Sequence, residues 1–447
     1  ATDDFMLIAD PNDLNPTIIL RWRVYLEKMT RQPHPIWTAW QRFAELNEAQ
    51  FSQEAPRVLR ELTDPSSTAS TATGGQIDAI TRIETGDRVI LDGTAGTVLV
   101  RPTTAELAQA DARSRAEELQ RAQLAKVADA EAITADGVRL TLRANVDLPD
   151  EVSIAATSGA EGVGLMRTEF LVVGRASMPT EDEQYESYAN VIRAFGGRPV
   201  VIRTFDVGGD KLPVGGYPHE PNPFLGWRAI RMCLDEPELF KTQLRALLRA
   251  AVHGDVRIML PLVVSVDEVR QARFLLEEAA RELAGRGVEH RADIPLGVMI
   301  ETPAAVLTAD ALASEVAFFS IGTNDLVQYT LAVDRGNASL ASRFTPLHPA
   351  VLRLIRRTMD VGLAHGLDVS VCGEMASEPI MAFALIGLGV RTLSVAPLSV
   401  PAVKQIIRGI HTSVAAEAVR LSCDAGTPAA AESLLRAALE QELADRP

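Results

Sequence analysis

Residues 257–285, RIMLPLVVSVDEVRQARFLLEEAARELAG, change period at their middle. The opening RIMLPLVV is a continuous apolar run of strand length, the pattern of a strand buried on both faces. Ser265, with Glu268 three residues on, makes a capping box. Val269, Ala272, Leu275, Leu276, Ala279 and Leu283 then recur at helical spacing, and Gly285 closes the run. A buried strand followed by an amphipathic helix is the unit from which parallel α/β sheets are built.

That unit recurs along the chain. Strand-like runs stand at 139–146, 163–168, 199–206, 257–264, 295–301, 317–322, 368–373 and 392–396, with helical patterns between them. Eight such units in about 280 residues match the number and length of a (β/α)8 barrel of the TIM type. A doubly wound open sheet is the alternative, and periodicity alone does not separate the two.

Outward from this region, the chain has 447 residues, 47% of them apolar and 23% charged, an ordinary globular balance that excludes wholesale disorder. No apolar run approaches the roughly 20 residues of a membrane span, and no signal peptide opens the sequence. Three scattered cysteines, Cys233, Cys372 and Cys423, make neither a disulfide framework nor a zinc site. These features predict a soluble, cytoplasmic protein. A formal net charge of −15 argues against nucleic acid or an anionic membrane as partner. The first hundred residues read differently. Residues 21–65 are helical in character, 64–75 (DPSSTASTATGG) read as a polar loop, 86–102 as a β-hairpin turning on Asp92-Gly93, and 103–132 as one linking helix.

In a barrel the active site is built on the C-terminal ends of the strands. Those ends carry Asn145, Arg167, Arg203 with Asp206, Glu301, Asn324 with Asp325, and Cys372. Arginines on buried strands are costly unless paired. Each could serve a nearby carboxylate, as Arg167 could serve Glu169, or several could converge on an anion, since guanidinium binds phosphate and carboxylate bidentately. Glu301 and Asp325 end consecutive strands. They read either as helix caps or as oxygen ligands for magnesium. Cys372 reads either as a small buried hydrophobe or, at its strand end, as a proton donor.

The same residues carry a family resemblance. GVGLMRTEF (162–170), RTFDVGGDK (203–211), NPFLGWRAIR (222–231), VMIETPAA (298–305), FFSIGTNDLVQYTLAVDRGN (318–337) and VCGEMAS (371–377) resemble the C-terminal domain of the phosphoenolpyruvate-protein phosphotransferases, enzyme I of the bacterial sugar phosphotransferase system. Pyruvate phosphate dikinases and phosphoenolpyruvate synthases share looser versions of these blocks. The resemblance implies a phosphoenolpyruvate-utilising barrel with a C-terminal helix over 133–447, a linker helix over 103–132 and a partial or degenerate swivelling domain over 1–102. By it Arg167 and Arg203 match phosphate-binding arginines, and Arg228 and Arg335 match further arginines of the pocket. Asn324 and Asp325 match a substrate-binding pair, Glu301 and Asp325 the Mg2+ ligands, and Cys372 the proposed proton donor to the enolate carbon. It also implies a homodimer formed through the barrel and, as partners, phosphoenolpyruvate, pyruvate and a small histidine phosphocarrier protein.

The sequence departs from the family at one point. These enzymes carry the phosphoryl-accepting histidine in a GG-x-TSH-x-A-type motif, and none of the seven histidines here lies in one. Gly74-Gly75 is followed by Gln76-Ile77-Asp78, and His34 is the one histidine upstream of the barrel. No segment resembles the helical domain that docks the carrier protein. A module that senses phosphoenolpyruvate or pyruvate without passing phosphate on is therefore a second reading, and the carbon-side domain of a synthase or dikinase a third.

Overall fold

The fold is that of a computed structural model, which describes residues 6–8, 83, 87–92, 97–125, 127–128, 130–173, 175, 177–208, 220 and 222–444. The chain divides into two compact units, residues 2–122 and 123–447. The first holds a three-stranded antiparallel sheet, β1 (Met6–Ile8), β2 (Val89–Asp92) and β3 (Thr97–Val100), with Met6 opposite Asp92 and Val89 opposite Val100. A helix, Thr104–Ala125, follows within the segment read as a linker. The helical character read over 21–65, the loop read at 64–75, and His34 lie outside the described residues.

The second unit is a closed barrel of eight parallel strands: β4 (Thr141–Val146), β5 (Val163–Met166), β6 (Val200–Arg203), β7 (Val256–Leu260), β8 (Leu296–Ile300), β9 (Phe318–Ile321), β10 (Asp368–Val371) and β11 (Thr392–Val395). Closure is made by β11 against β4, with Leu393 opposite Leu142. That pairing excludes the open doubly wound sheet. Leu142, Ala144 and Val146 of β4 belong to the main core, and the alternate residues Arg143 and Asn145 take the other face. Leu165, Val201, Met259, Met299, Phe318 and Cys372 form a separate small cluster that fills the barrel interior.

The helices form where the period changes. Ser265 accepts from the Glu268 N–H and the Glu268 side chain returns to the Ser265 backbone, so the helix Val266–Gly285 starts at the capping box read from sequence. Past the last strand come three helices, Val400–Gly409 and then Thr412–Asp424 and Pro428–Ala444. Gly426 and Pro428 separate the last two, since proline cannot continue the hydrogen-bond ladder of the preceding helix.

Candidate active site

The C-terminal mouth of the barrel is crossed by a continuous chain of alternating charges. Glu169 Oε1 lies 2.5 Å from Arg203 Nη2, and Arg203 Nη1 lies 3.0 Å from Asp206 Oδ2. Asp206 Oδ1 accepts from Arg228 Nε and Nη2 at 3.0 and 2.6 Å. Arg228 Nη2 reaches Asp325 Oδ2 at 3.4 Å, and Arg335 Nη2 meets Asp325 Oδ1 at 2.9 Å. Arg203, Arg228 and Asp325 are buried. Burial raises the Asp206 carboxyl, but the Arg228 and Arg203 guanidiniums outweigh it and hold the group well below the usual carboxylate range.

Local structure aims these groups. Arg203 is the last residue of β6, and Asp206 follows three residues on. Asp325 is the third residue of the helix Thr323–Leu331, which follows β9 directly. Arg228 stands off the strands. It pairs through an isolated bridge with Gly208 in the loop after β6, and the next residue, Ala229, has φ +55°, a region that side chains rarely adopt. Its Nη1 donates to the Tyr329 hydroxyl at 3.2 Å, and Tyr329 donates to the Phe224 carbonyl at 2.5 Å. Arg335 lies with Arg228 near the Phe224 ring, each 5.7 Å from its centroid.

Glu301 follows β8 and accepts from the Leu262 N–H at 2.6 Å. Leu262 has φ +56°, so the backbone there is held in a strained conformation that delivers this donor. Burial, and then the negative charges of Asp325 and Asp206, push the Glu301 carboxyl up to about 8. Gly322 is required beside it, because a Cβ there would stand 2.7 Å from Glu301 Oε2 and 2.8 Å from Met299 Sδ. Neither carboxylate serves as a helix cap. Thr302 is the N-cap of Pro303–Leu307, accepting from Ala305, and Asp325 is committed to two arginines.

Cys372 follows β10. Burial pushes its thiol up to about 11, while a hydrogen bond from Ser320 and the charges of Arg203 and Arg167 pull the other way. Its carbonyl accepts from Asn145 Nδ2 at 3.3 Å, and Asn145 in turn accepts from Ser394 at 2.6 Å. Asn324 turns to the other side of this loop, donating to Glu374 Oε1 at 2.9 Å and accepting from the Glu374 N–H at 3.1 Å.

One pairing read from sequence is corrected. Arg167 does not pair with Glu169; it reaches Asp147 Oδ2 at 2.5 Å, and Glu169 goes to Arg203. Asp147 begins the loop after β4, the strand beside β5, so strand adjacency places it closer than sequence adjacency does. The structure thus brings Arg203, Arg228, Asp325 and Arg335 into one chain, with Glu301, Arg167 and Cys372 electrostatically coupled to its members. Sequence reasoning missed Tyr329 and Phe224 altogether, and the central position of Asp206. The spacing Asp325–Tyr329, one helical turn, is the signal that could have found the first.

The Nε groups of Arg203 and Arg335 are buried without hydrogen-bond partners among the described residues, leaving donors for a ligand. Among those residues no group of three or more His, Cys, Asp or Glu side chains is arranged to hold a metal ion. Glu301 and Asp325 offer two carboxylates whose mutual repulsion a cation would relieve.

The chain is similar to known proteins. Residues 121–412 match the family described as PEP-utilising enzyme, PEP-binding domain. A phosphoenolpyruvate-protein phosphotransferase of Bacillus sp. (strain S) and one of Geobacillus stearothermophilus are each 47% identical over 319 residues, covering 71% of this chain and 55% of the relative. That of Staphylococcus carnosus (strain TM300) is 45% identical over 332 residues, 74% of this chain and 58% of the relative. The chain therefore spans little more than half the length of these relatives.

Proposed function

The chain belongs to the PEP-utilising enzymes through their PEP-binding domain, and we propose that its barrel binds phosphoenolpyruvate and passes the phosphoryl group to a protein histidine, leaving pyruvate. The observation that carries this reading is the chain of arginines and carboxylates across the barrel mouth, set beside a buried thiol. Phosphoenolpyruvate has a phosphate and a carboxylate on a short rigid frame. Arg167 and Arg203 are the phosphate ligands in this reading, with Arg228, Asn324 and Arg335 completing the pocket. Preorganised guanidinium groups stabilise charge that develops on the transferring phosphoryl oxygens without reorganising as they do so.

Glu301 and Asp325 would hold a magnesium ion, which takes few protein carboxylates and completes its shell with water and substrate phosphate. When bound it supplies positive charge opposite the phosphoryl and enolate oxygens. The barrel residues and an acceptor histidine do the rest. The bond from phosphorus to the bridging oxygen breaks as the imidazole nitrogen bonds phosphorus, and the electron pair stays on that oxygen. The oxygen pair then closes the carbonyl, the C=C π pair takes the proton at the methylene carbon as the Cys372 S–H bond breaks, and the thiolate recovers a proton from solvent. The phosphohistidine would pass its phosphoryl group to a small histidine phosphocarrier protein, and the protein would act in the cytoplasm as a homodimer formed through the barrel. Among the described residues no helix is long and apolar enough to cross a membrane.

Calorimetric titration with phosphoenolpyruvate, with and without magnesium chloride, tests the reading. The parent should bind in a magnesium-dependent manner, and Asp325→Ala should lose that dependence. Equal affinity in mutant and parent removes Asp325 from the metal role, and no binding by the parent overturns the proposal. The sequence departure around Gly74-Gly75 favours the sensing module as the second reading. Binding without transfer from radiolabelled phosphoenolpyruvate, even to an added swivelling histidine domain, would favour it.

A further inference from the structure

One face of one helix reaches both arginines that stand off the strands. Asp325, Gln328 and Tyr329 are spaced i, i+3 and i+4 on the helix Thr323–Leu331 and share a side of it. Asp325 takes Arg228 and Arg335, and Gln328 Oε1 accepts from the Arg335 backbone N–H at 3.1 Å. The chain turns back toward its own helix at the C-cap, Ala332, which is left-handed with φ +53°.

Tyr329 does something different. Arginine has donors only, so the Tyr329 oxygen accepts from Arg228 Nη1, at 3.2 Å, and its own proton goes to the Phe224 carbonyl, at 2.5 Å. A hydroxyl that accepts from a cation is the stronger donor for it. The hydroxyl thus ties the segment 222–228 across to the helix. Arg231 and Glu220 also hold the backbone of this segment, but locally. Arg231 Nη1 donates to the Leu225 and Gly226 carbonyls at 2.9 and 3.0 Å, and Glu220 accepts from the Trp227 N–H at 2.9 Å. These bonds span at most 7 residues of chain, against 105 for that of Tyr329 to Phe224. The same hydroxyl fixes the guanidinium plane. Arg228 Nε and Nη2 both bond one oxygen, Asp206 Oδ1, about which the plane can pivot, and Asp325 Oδ2 is a looser hold at 3.4 Å. A further point at Nη1 stops the pivot. Among the described residues it leaves the second N–H of Nη1 for a ligand.

We propose that Tyr329 is a positioning residue of the mouth: its hydroxyl holds the segment 222–228 and the Arg228 guanidinium in one frame, so that the remaining Arg228 N–H meets the substrate anion already aligned. The value of the bridge for phosphoenolpyruvate rests on the binding role proposed above for the mouth. The bridge itself does not.

Two measurements on the full chain separate these levels. Both use Tyr329→Phe, which keeps the half-buried ring and removes the hydroxyl alone. In the first, a nitroxide attached at Leu225→Cys is read by electron paramagnetic resonance. Leu225 is 65% exposed and the three native cysteines are buried, so labelling is selective. Removing the Tyr329 hydroxyl should add a fast-tumbling component to this spectrum. A label at Leu363→Cys, exposed on the helix Pro349–His365, should read the same with and without the hydroxyl. An unchanged spectrum at Leu225→Cys overturns the proposal. So does a change at both positions, which marks general loosening or failure to fold. The second measurement is calorimetric titration with phosphoenolpyruvate and magnesium chloride. Tyr329→Phe should bind roughly tenfold more weakly, the worth of one hydrogen bond to a charged group. Affinity equal to that of the parent overturns the role in substrate positioning. No binding by the parent itself counts against the proposed function, and the bridge then stands or falls on the label alone.

Discussion

Asp206 shows how a single carboxylate holds two arginines of the mouth together. It is almost fully buried between two guanidiniums that are themselves nine-tenths buried. Substituting Asp206→Asn keeps the shape and removes the charge, leaving Arg203 and Arg228 short of a counter-ion. Breaking a buried pair in this way typically costs about 3–5 kcal/mol, so the thermal midpoint should fall well below that of the parent. Inorganic phosphate, offering oxygens to the same arginines, should raise the midpoint of the variant more than that of the parent; equal midpoints without ligand would show that Glu169 and Asp325 suffice. Glu301 makes a pH prediction. Burial and the negative charges of Asp325 and Asp206 push its carboxyl up to about 8 in the folded state, from an ordinary value of 4.5. Between those values the folded state binds a proton that the unfolded state does not, so stability present below about pH 4.5 is lost as pH rises toward and through 8. In metal-free buffer Glu301→Gln should flatten that decline and be the more stable protein at the alkaline end. Parallel melting-against-pH curves for parent and variant would refute the assignment. Most strand-end residues of the mouth were legible from alternation alone. Arg228 was not, because it reaches the site through a loop that no period describes, and only the resemblance marked it.

At the scale of elements, the eight strands and their order were legible, because buried parallel strands read as unbroken apolar runs between helical patterns. Their ends were not. The run 257–264 continues past Leu260, where β7 stops, since Pro261 lacks the N–H that the ladder needs while Leu262, Val263 and Val264 remain apolar. Tertiary caps were equally invisible. The helix Thr412–Asp424 has His411 at its N-cap with no capping hydrogen bond from that side chain. Asp136, far upstream in the turn before β4, supplies one: its Oδ2 accepts from the Thr412 N–H at 2.8 Å and the Thr412 hydroxyl at 2.6 Å, and its Oδ1 accepts from Thr134 at 2.5 Å. Partial burial raises this carboxyl, but the threonine and backbone hydrogen bonds bring it down to about 2 from an ordinary 3.8. A depressed carboxyl stabilises above its unfolded pKa and ceases to do so as pH falls through the folded one. Asp136→Ala should therefore cost about 1 kcal/mol near neutrality, the value of a helix cap, and the gap between variant and parent should close on acidification through that interval. A gap that persists in acid would assign the loss to packing instead of charge.

On the scale of the whole molecule, every group of the barrel mouth comes from residues 123–447, and His34 is the one histidine upstream of the barrel in the sequence. In the proposed reading, binding of phosphoenolpyruvate needs only the mouth. Stable phosphorylation needs an imidazole that can align with the phosphorus opposite the bridging oxygen, since in-line geometry and positioning supply most of the catalysis of phosphoryl transfer. His34 stands in RQPHPIW, flanked by prolines that fix the local backbone, and neither flank resembles the acceptor motif of the family. The chain should therefore bind phosphoenolpyruvate in the presence of magnesium and yet accumulate no phosphohistidine of its own. A separately supplied swivelling domain with an intact histidine motif should accept phosphate from the same preparation, because the proposed reading draws every group that acts on the substrate from the barrel. Mass spectrometry at alkaline pH, where phosphohistidine survives, reads both proteins in one mixture. Phosphate on the added domain alone is the expected result. Phosphate on His34 would instead make the N-terminal unit a divergent but working acceptor, and phosphate on neither would leave the mouth a binding site without transfer.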